Sequence, residues 1–255
     1  MREAPVTPNG DRIRWVEIPG AGPVRLYLHG LGASSPVYFA AAAVHPLLAG
    51  HRSLLLDLLG FGISDRPADF SYTLEAHADA VATALDAAGV TDVEVVAHSM
   101  GGAVAIVLAH RHPHLVSRLV LVDSNLDPIT PTRSPGSSGI ATFTEEEFLG
   151  GGMQEVGQWV GPFWWSTMRL AGPEALYRTA VHGTRGTVPT LREMLIGLDL
   201  PRAFLYPEVD GEFPGGDRLR EAGVVVTAIP DAGHNVMFDN PDAFAKASAE
   251  ALGSR

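Results

Sequence analysis

The amino-acid sequence predicts an α/β protein with a mostly parallel central sheet and helices on both of its faces. Short runs rich in Leu, Val and Ile alternate along the chain with longer helical stretches, which is the pattern of strands joined by crossover helices. A chain of 255 residues, 46% of them hydrophobic, also carries enough apolar material to form the core of one such domain.

Strands and helices can be assigned in chain order from this alternation. Turn residues at 9–10 and 20–22 flank the first strand, so the N-terminus is predicted to form an antiparallel hairpin at the sheet edge. The predicted strands are 12–18, 24–28, 53–58, 93–97, 119–122, 202–206 and 224–229, and the predicted helices are 36–49, 74–88, 100–110 and 241–252.

The alternation stops between the strand that ends at residue 122 and the strand that begins at residue 202. Proline and serine cluster at 128–138, and the helical patterning that follows contains no β-branched strand run. This predicts a core domain formed by residues 1–124 and 201–255, into which residues 125–200 are inserted as a helical cap.

The predicted cap is rich in bulky apolar side chains and contains three of the four tryptophans. We expect its aromatic residues to form apolar walls over a substrate pocket. The alternative is that these rings only pack the interior of the cap. The residues concerned are Trp159, Phe163, Trp164 and Trp165.

Composition argues against several classes of function. With 18 Lys and Arg against 29 Asp and Glu, the formal charge is -11, which disfavours binding to nucleic acid or to an anionic membrane surface. The absence of cysteine excludes disulfides, thiolate metal sites and a cysteine nucleophile. Neither a long apolar run nor a secretory signal is evident, so we expect a cytoplasmic protein that acts on a small molecule.

A strand that leads directly into a small-residue turn and a helix points to a nucleophile at Ser99. Segment 95–102, Val-Val-Ala-His-Ser-Met-Gly-Gly, follows the pattern G-x-S-x-G with Ala97 in place of the first glycine. Small residues permit the sharp turn that exposes the serine hydroxyl at the carboxyl edge of the sheet. The alternative is an ordinary serine N-cap of a helix.

Two further segments supply groups that a serine nucleophile needs. The backbone N–H groups of Met100 and of Leu31, in the His-Gly-Leu-Gly segment 29–32, are predicted to form an oxyanion hole. A dinucleotide-binding loop is the alternative for this segment, but Ser35 stands where that motif has its third glycine. His234 lies in a loop after the last predicted strand and is the predicted general base.

The histidines at 110, 112 and 114 form the one sequence cluster that suggests a metal site. They lie at a predicted helix end, where cationic side chains suit the helix dipole. We therefore expect no metal there.

Taken together, these segments resemble the α/β-hydrolase superfamily over nearly the whole chain outside the predicted cap. The resemblance rests on residues 29–32 (His-Gly-Leu-Gly), 57–64 (Asp-Leu-Leu-Gly-Phe-Gly-Ile-Ser), 98–102 (His-Ser-Met-Gly-Gly) and 233–235 (Gly-His-Asn). Within the superfamily the chain looks most similar to bacterial esterases, lactonases and non-haem haloperoxidase-like proteins. A serine at the elbow argues against epoxide hydrolases and haloalkane dehalogenases of this fold, which use aspartate.

The resemblance implies that the acid of a Ser-His-Asp triad follows the strand after the cap. Segment 206–211 resembles the family's G-E-x-D pattern with Pro207 in place of glycine, and Asp210 is the predicted acid. Glu208 remains an alternative, as does Asp123 at the end of the strand before the cap.

The predicted activity is hydrolysis of a carboxylic ester or lactone of a small hydrophobic molecule through an acyl-enzyme, with no cofactor and no metal. Relatives with the same triad also cleave carbon–carbon bonds or carry out perhydrolysis, and both reactions remain alternatives. A small-molecule receptor that keeps the pocket but turns over negligibly is a further alternative. The sequence does not indicate the oligomeric state.

Overall fold

The computed structural model describes residues 1–133 and 137–253. Residues 134–136, which belong to the predicted cap, and residues 254–255, which belong to the predicted core, lie outside the described residues. Within that range one eight-stranded sheet has the order β1-β2-β4-β3-β5-β6-β7-β8. The strands are β1 (Arg2–Pro5), β2 (Arg12–Ile18), β3 (Ala21–Leu28), β4 (His51–Asp57), β5 (Val93–His98), β6 (Val116–Val122), β7 (Arg202–Pro207) and β8 (Val225–Ile229).

The sheet is parallel except at one edge. Strand β2 pairs antiparallel with both β1 and β4, whereas every pairing from β4 through β3, β5, β6 and β7 to β8 is parallel. The predicted parallel sheet and its antiparallel N-terminal hairpin are confirmed. The short strand Arg2–Pro5 was not predicted, because only Ala4 of its four residues is buried and no apolar alternation marks it.

Helices cover both faces of this sheet. The helices are α1 (Ser35–Ala43), α2 (Leu74–Ala87), α3 (Met100–Arg111), α4 (Glu145–Glu147), α5 (Met153–Trp159), α6 (Pro162–Met168), α7 (Pro173–Arg185), α8 (Leu191–Gly197), α9 (Gly216–Glu221), α10 (Val236–Asp239) and α11 (Pro241–Leu252). Along β5, Val95 and Ala97 pack into the core under α2 and α3, while Val96 packs into the core under α1 and α11. Successive residues of a strand point to opposite faces of the sheet, and here both faces are buried. The parallel strands therefore appear in the sequence as continuous hydrophobic runs.

The described chain between β6 and β7 consists of helices joined by irregular segments. It contains α4 to α8, a 3₁₀ turn at Ile140–Thr142 and a π-helical turn at Phe148–Gly152, and its described residues include no strand. A buried hydrogen bond between His77 Nε2 on α2 and Thr179 Oγ1 on α7, 3.0 Å long, ties this insertion to the core. Its treatment as a separate cap domain stays a prediction.

The described residues contain neither a membrane-spanning helix nor a candidate metal cluster. None of the helices is long and apolar enough to cross a membrane. No group of three or more His, Cys, Asp or Glu side chains among these residues is arranged to hold a metal ion.

Candidate active site

Ser99 occupies a strained turn between β5 and α3. Its φ of 52° and ψ of -124° lie outside the regions that residues with a Cβ usually adopt, and its N–H donates to the Val122 carbonyl at 2.9 Å. Among the described residues the Ser99 hydroxyl has no hydrogen-bond partner. Backbone strain of this kind is retained where the surrounding structure imposes it, commonly at functional sites.

The glycines around Ser99 are required by close packing. A Cβ on Gly101 would overlap the backbone carbonyl oxygen of His29, and a Cβ on Gly102 would overlap the Ser124 hydroxyl. A Cβ on Gly30 would lie 3.1 Å from the Cβ of Ser99. Helix α3 therefore meets the sheet at a distance that only glycine permits, and this holds the serine at the carboxyl edge.

His234 is oriented by Asp123. The His234 Nδ1–H donates to the Asp123 carboxylate across 2.5 Å. Because an ionised carboxylate only accepts hydrogen bonds, the proton of a neutral His234 lies on Nδ1. Its Nε2 is then an unprotonated base, which is the form that accepts a proton from a serine hydroxyl.

The structure pairs His234 with Asp123 and not with Asp210, which the resemblance implied as the acid. Asp210 lies on a 3₁₀ turn after β7 (Glu208–Asp210), and no hydrogen bond joins it to His234 within the part of the chain that is described. Asp123 directly follows β6, the strand beside that of Ser99, and its N–H is anchored to the Leu205 carbonyl at 2.8 Å. The sequence marks Asp123 only by its position at the end of a strand, and Asp210 also follows a strand at this edge. Glu208 has no described contact with His234 either.

The predicted oxyanion-hole donors lie at the same place. Leu31 and Met100 line a cavity together with Ser99, and within the described residues neither N–H donates a hydrogen bond. His29 fixes the Leu31 loop: its Nε2 accepts from the Leu58 N–H at 3.1 Å, so its Nδ1–H donates to the Gly30 carbonyl at 2.7 Å. Since a trans peptide points its N–H away from its carbonyl, the Leu31 N–H points away from His29.

Burial keeps His29 neutral and lowers its pKa, an effect that exceeds the opposing attraction of Asp57. The sequence identified the His-Gly segment but not this supporting role. A neutral ring with one fixed tautomer holds the loop without adding charge beside the candidate site.

His98 is a second supporting histidine that the sequence pattern did not reveal. Its Nε2–H donates to the His234 backbone carbonyl at 2.9 Å, and the two rings have centroids 4.6 Å apart. Burial, and then the proximity of His234, hold the pKa of His98 well below that of a free histidine. The residue before Ser99 therefore anchors the backbone of His234 as a neutral donor.

Two cavities meet at Ser99 and His234. The smaller, about 240 Å³, is mainly apolar and aromatic, with Tyr38, Val160 and Phe163 in its wall. The larger, about 640 Å³, has a mixed lining that comes largely from the insertion and includes several threonines and serines beside apolar side chains. Leu31 and Trp164 line both. A substrate attacked by Ser99 would extend one part into each cavity.

The predicted pocket residues of the insertion divide into two pairs. Phe163 and Trp164 line the small cavity, and Trp164 also donates its indole N–H to the Leu31 carbonyl at 2.7 Å. Trp159 and Trp165 line neither of the two cavities at Ser99. The Trp159 ring stacks on Phe143, with parallel planes and centroids 6.4 Å apart, although 38% of this residue is exposed. Trp165 packs against Gly157. For these two residues a place in the pocket wall stays a prediction.

Comparison with known proteins identifies the fold family of the chain. Residues 23–230 match the family described as the alpha/beta hydrolase fold. The chain belongs to the α/β-hydrolase fold family. The predicted α/β-hydrolase fold is thereby confirmed.

Individual relatives cover part of the chain in sequence and nearly all of it in structure. A 2-hydroxymuconate semialdehyde hydrolase from Pseudomonas sp. (strain CF600) is 40% identical over 106 residues, which are 41% of this chain and 38% of that protein. An esterase from Exiguobacterium antarcticum superposes with a TM-score of 0.79 at 20% identity, over 99% of both chains. An enol-lactonase from Burkholderia xenovorans LB400 has a TM-score of 0.75 at 20% identity, over 99% of this chain and 100% of its own.

These relatives differ in the reactions that their names state. The chain spans less than two fifths of the length of the curated relative, and the two solved structures share the fold at low identity. Fold membership is compatible with several reactions, so the function is argued from the residues of the site.

Proposed function

We propose that this protein is a serine hydrolase that cleaves a carboxylic ester or lactone through an acyl-enzyme, with Ser99 as nucleophile, His234 as base and Asp123 as acid. The observation that carries the proposal is the 2.5 Å hydrogen bond from His234 to Asp123, in a cavity shared with a serine held at a φ of 52°. The bond fixes the tautomer in which His234 Nε2 is basic.

The proposed reaction has two steps. His234 Nε2 removes the Ser99 proton as the serine oxygen attacks the carbonyl carbon, and the Leu31 and Met100 N–H groups bind the oxyanion that forms. The tetrahedral intermediate collapses with loss of the alcohol, which takes the proton from His234. Water then attacks the acyl-serine and gives a proton to the same histidine, and the second tetrahedral intermediate releases the acid as Ser99 takes that proton back.

Asp123 stabilises the imidazolium that forms during each step. Its carboxylate lies against the Nδ1–H, and the Asp123 backbone is fixed between β6 and β7 by the bond to Leu205. The His98 bond to the His234 carbonyl restrains the backbone of the same residue. The chemistry therefore requires no cofactor.

The test is active-site labelling combined with turnover of a short aryl ester. A fluorophosphonate should label the wild-type protein once, at Ser99, and Ser99→Ala should abolish both labelling and turnover. Ser138→Ala is the matched control, because Ser138 lines the large cavity and this variant should still be labelled. Labelling that persists in Ser99→Ala contradicts the proposal, and binding of the ester without turnover indicates a receptor instead.

A further inference from the structure

Asp210 is a carboxylate that the proposed mechanism does not use. It lines the large cavity together with Ser99 and His234. Among the described residues it has neither a hydrogen bond nor an ion pair, and it is exposed. An ionised carboxylate at the wall of a cavity that leads to the nucleophile acts on any charge that a substrate carries there.

The other groups around the large cavity do not neutralise this carboxylate. Apart from His234 they are uncharged side chains, both apolar and hydroxyl-bearing, and the second carboxylate, Asp123, already accepts the His234 hydrogen bond. No Lys or Arg lines the cavity within the described residues. Arg133, which follows the lining residue Thr132, donates its Nε–H to Thr142 and stacks over Phe143 with its guanidinium carbon 4.1 Å from the ring centroid.

The small cavity has a different character. Its wall contains Tyr38, Phe163 and Trp164. Among the described residues that line it there are two histidines but no Asp, Glu, Lys or Arg. At about 240 Å³ it suits a compact apolar group. The two cavities thus differ in polarity and in charge, and they meet at Ser99.

We propose that Asp210 is a specificity-determining residue that selects esters whose larger part carries a positive charge and disfavours those that carry a carboxylate. This inference rests on the proposed serine hydrolase function and adds the substrate class. The small cavity takes a compact apolar group, and the large cavity takes the cationic part with Asp210 as counter-ion. The overall formal charge of -11 further favours the approach of cations over anions.

The test compares three butyrate esters of para-substituted phenols that differ in one group. The substituents are trimethylammoniomethyl, its neutral isostere neopentyl, and carboxymethyl, and each kcat/KM is divided by the rate of hydroxide-catalysed hydrolysis of the same ester. We expect wild-type kcat/KM to fall in the order cation, neutral, carboxylate. Added salt should reduce the differences in kcat/KM among the three esters, because exposed charges are screened.

In Asp210→Asn two ratios of kcat/KM should fall: that of the cationic to the neutral ester, and that of the neutral to the carboxylate ester. Each should fall by up to about fivefold, which is the range for exposed ion pairs. Glu208→Gln is the matched control. It changes the same charge on the same turn, but Glu208 does not line the large cavity, so the ratios between esters should stay at their wild-type values.

Three outcomes overturn the inference. Ratios that are unchanged in Asp210→Asn, or changed equally in Glu208→Gln, remove the specific role of Asp210. A loss of kcat by orders of magnitude on all three esters in Asp210→Asn makes it a triad residue instead. Failure of the proposed function itself is distinct, because the wild type would then hydrolyse none of the three esters and Ser99 would not be labelled.

Discussion

The sheet core and the helical insertion contribute to the candidate site in different ways. The core supplies the groups proposed to react, each at the end of a parallel strand: Ser99 after β5, Asp123 after β6 and His234 beyond β8. The insertion supplies most of the lining of the large cavity, part of the wall of the small cavity and one hydrogen bond to the Leu31 loop, from Trp164. The difference indicates that backbone pairing in the sheet positions the groups proposed to react, whereas helices and loops outside the sheet shape the cavities beside them.

Adding one methyl group to a glycine tests this difference most strongly. In Gly101→Ala the new Cβ meets the backbone carbonyls of Leu28 and His29, so α3 must move away from β3. We expect a loss of about 1–3 kcal/mol in the free energy of unfolding and a lower kcat on every ester, because the Ser99 turn moves with the helix. Thermal unfolding and ester kinetics measure the two effects.

Gly183→Ala is the control in the insertion. Gly183 lies within α7, and no atom is within 4 Å of the added Cβ, so removing glycine from this helix should raise the unfolding free energy by about 0.5–1 kcal/mol. Equal destabilisation by the two substitutions would contradict the tighter constraint assigned to the core.

Low pH should weaken the contact between the core and the insertion that His77 makes with Thr179. Burial lowers the pKa of His77 to about 3, while a histidine in the unfolded chain titrates near ~6.5. The unfolded state therefore binds the additional proton between these values, and stability falls as the pH drops below about 6.5, by about 1.4 kcal/mol per pH unit for one such histidine.

His77→Gln keeps an amide able to bond Thr179 but removes the titrating group. We expect the difference in unfolding free energy between pH 7 and pH 5 to shrink by about 2 kcal/mol relative to wild type, as measured by urea denaturation at each pH. Parallel pH profiles for the two proteins would show that His77 does not contribute to the acid sensitivity.

Two tryptophans of the insertion provide the smallest and most specific comparison. Trp164→Phe removes the 2.7 Å hydrogen bond to the Leu31 carbonyl, and we expect kcat to fall roughly two- to tenfold, the value of one hydrogen bond. Trp159→Phe removes the bond from the indole to the Ser138 carbonyl, and this ring does not line the cavities at Ser99. An equal effect of both variants on kcat would mean that the insertion acts only through its overall stability.

The parallel sheet could be predicted from the sequence, because strands buried on both faces appear as apolar runs. The turn at Ser99 was also recognisable, since the glycines after it are demanded by local packing. The sequence does not distinguish Asp123 from Asp210 as the acid, because both follow strands at the same edge of the sheet. Only the fold determines which carboxylate reaches His234. The roles of Trp164 and Trp159 were equally undetermined, because they depend on which side of a helix faces the core.

The identity of the acid is the central claim, and it is tested most directly by kcat for one neutral aryl ester in Asp123→Asn and Asp210→Asn, with folding verified by circular dichroism. Losing the carboxylate that orients the base should lower kcat by about 10³–10⁴-fold in Asp123→Asn, and Asp210→Asn should lose less than about tenfold. A loss of that size in Asp210→Asn, with kcat nearly retained in Asp123→Asn, would contradict the account.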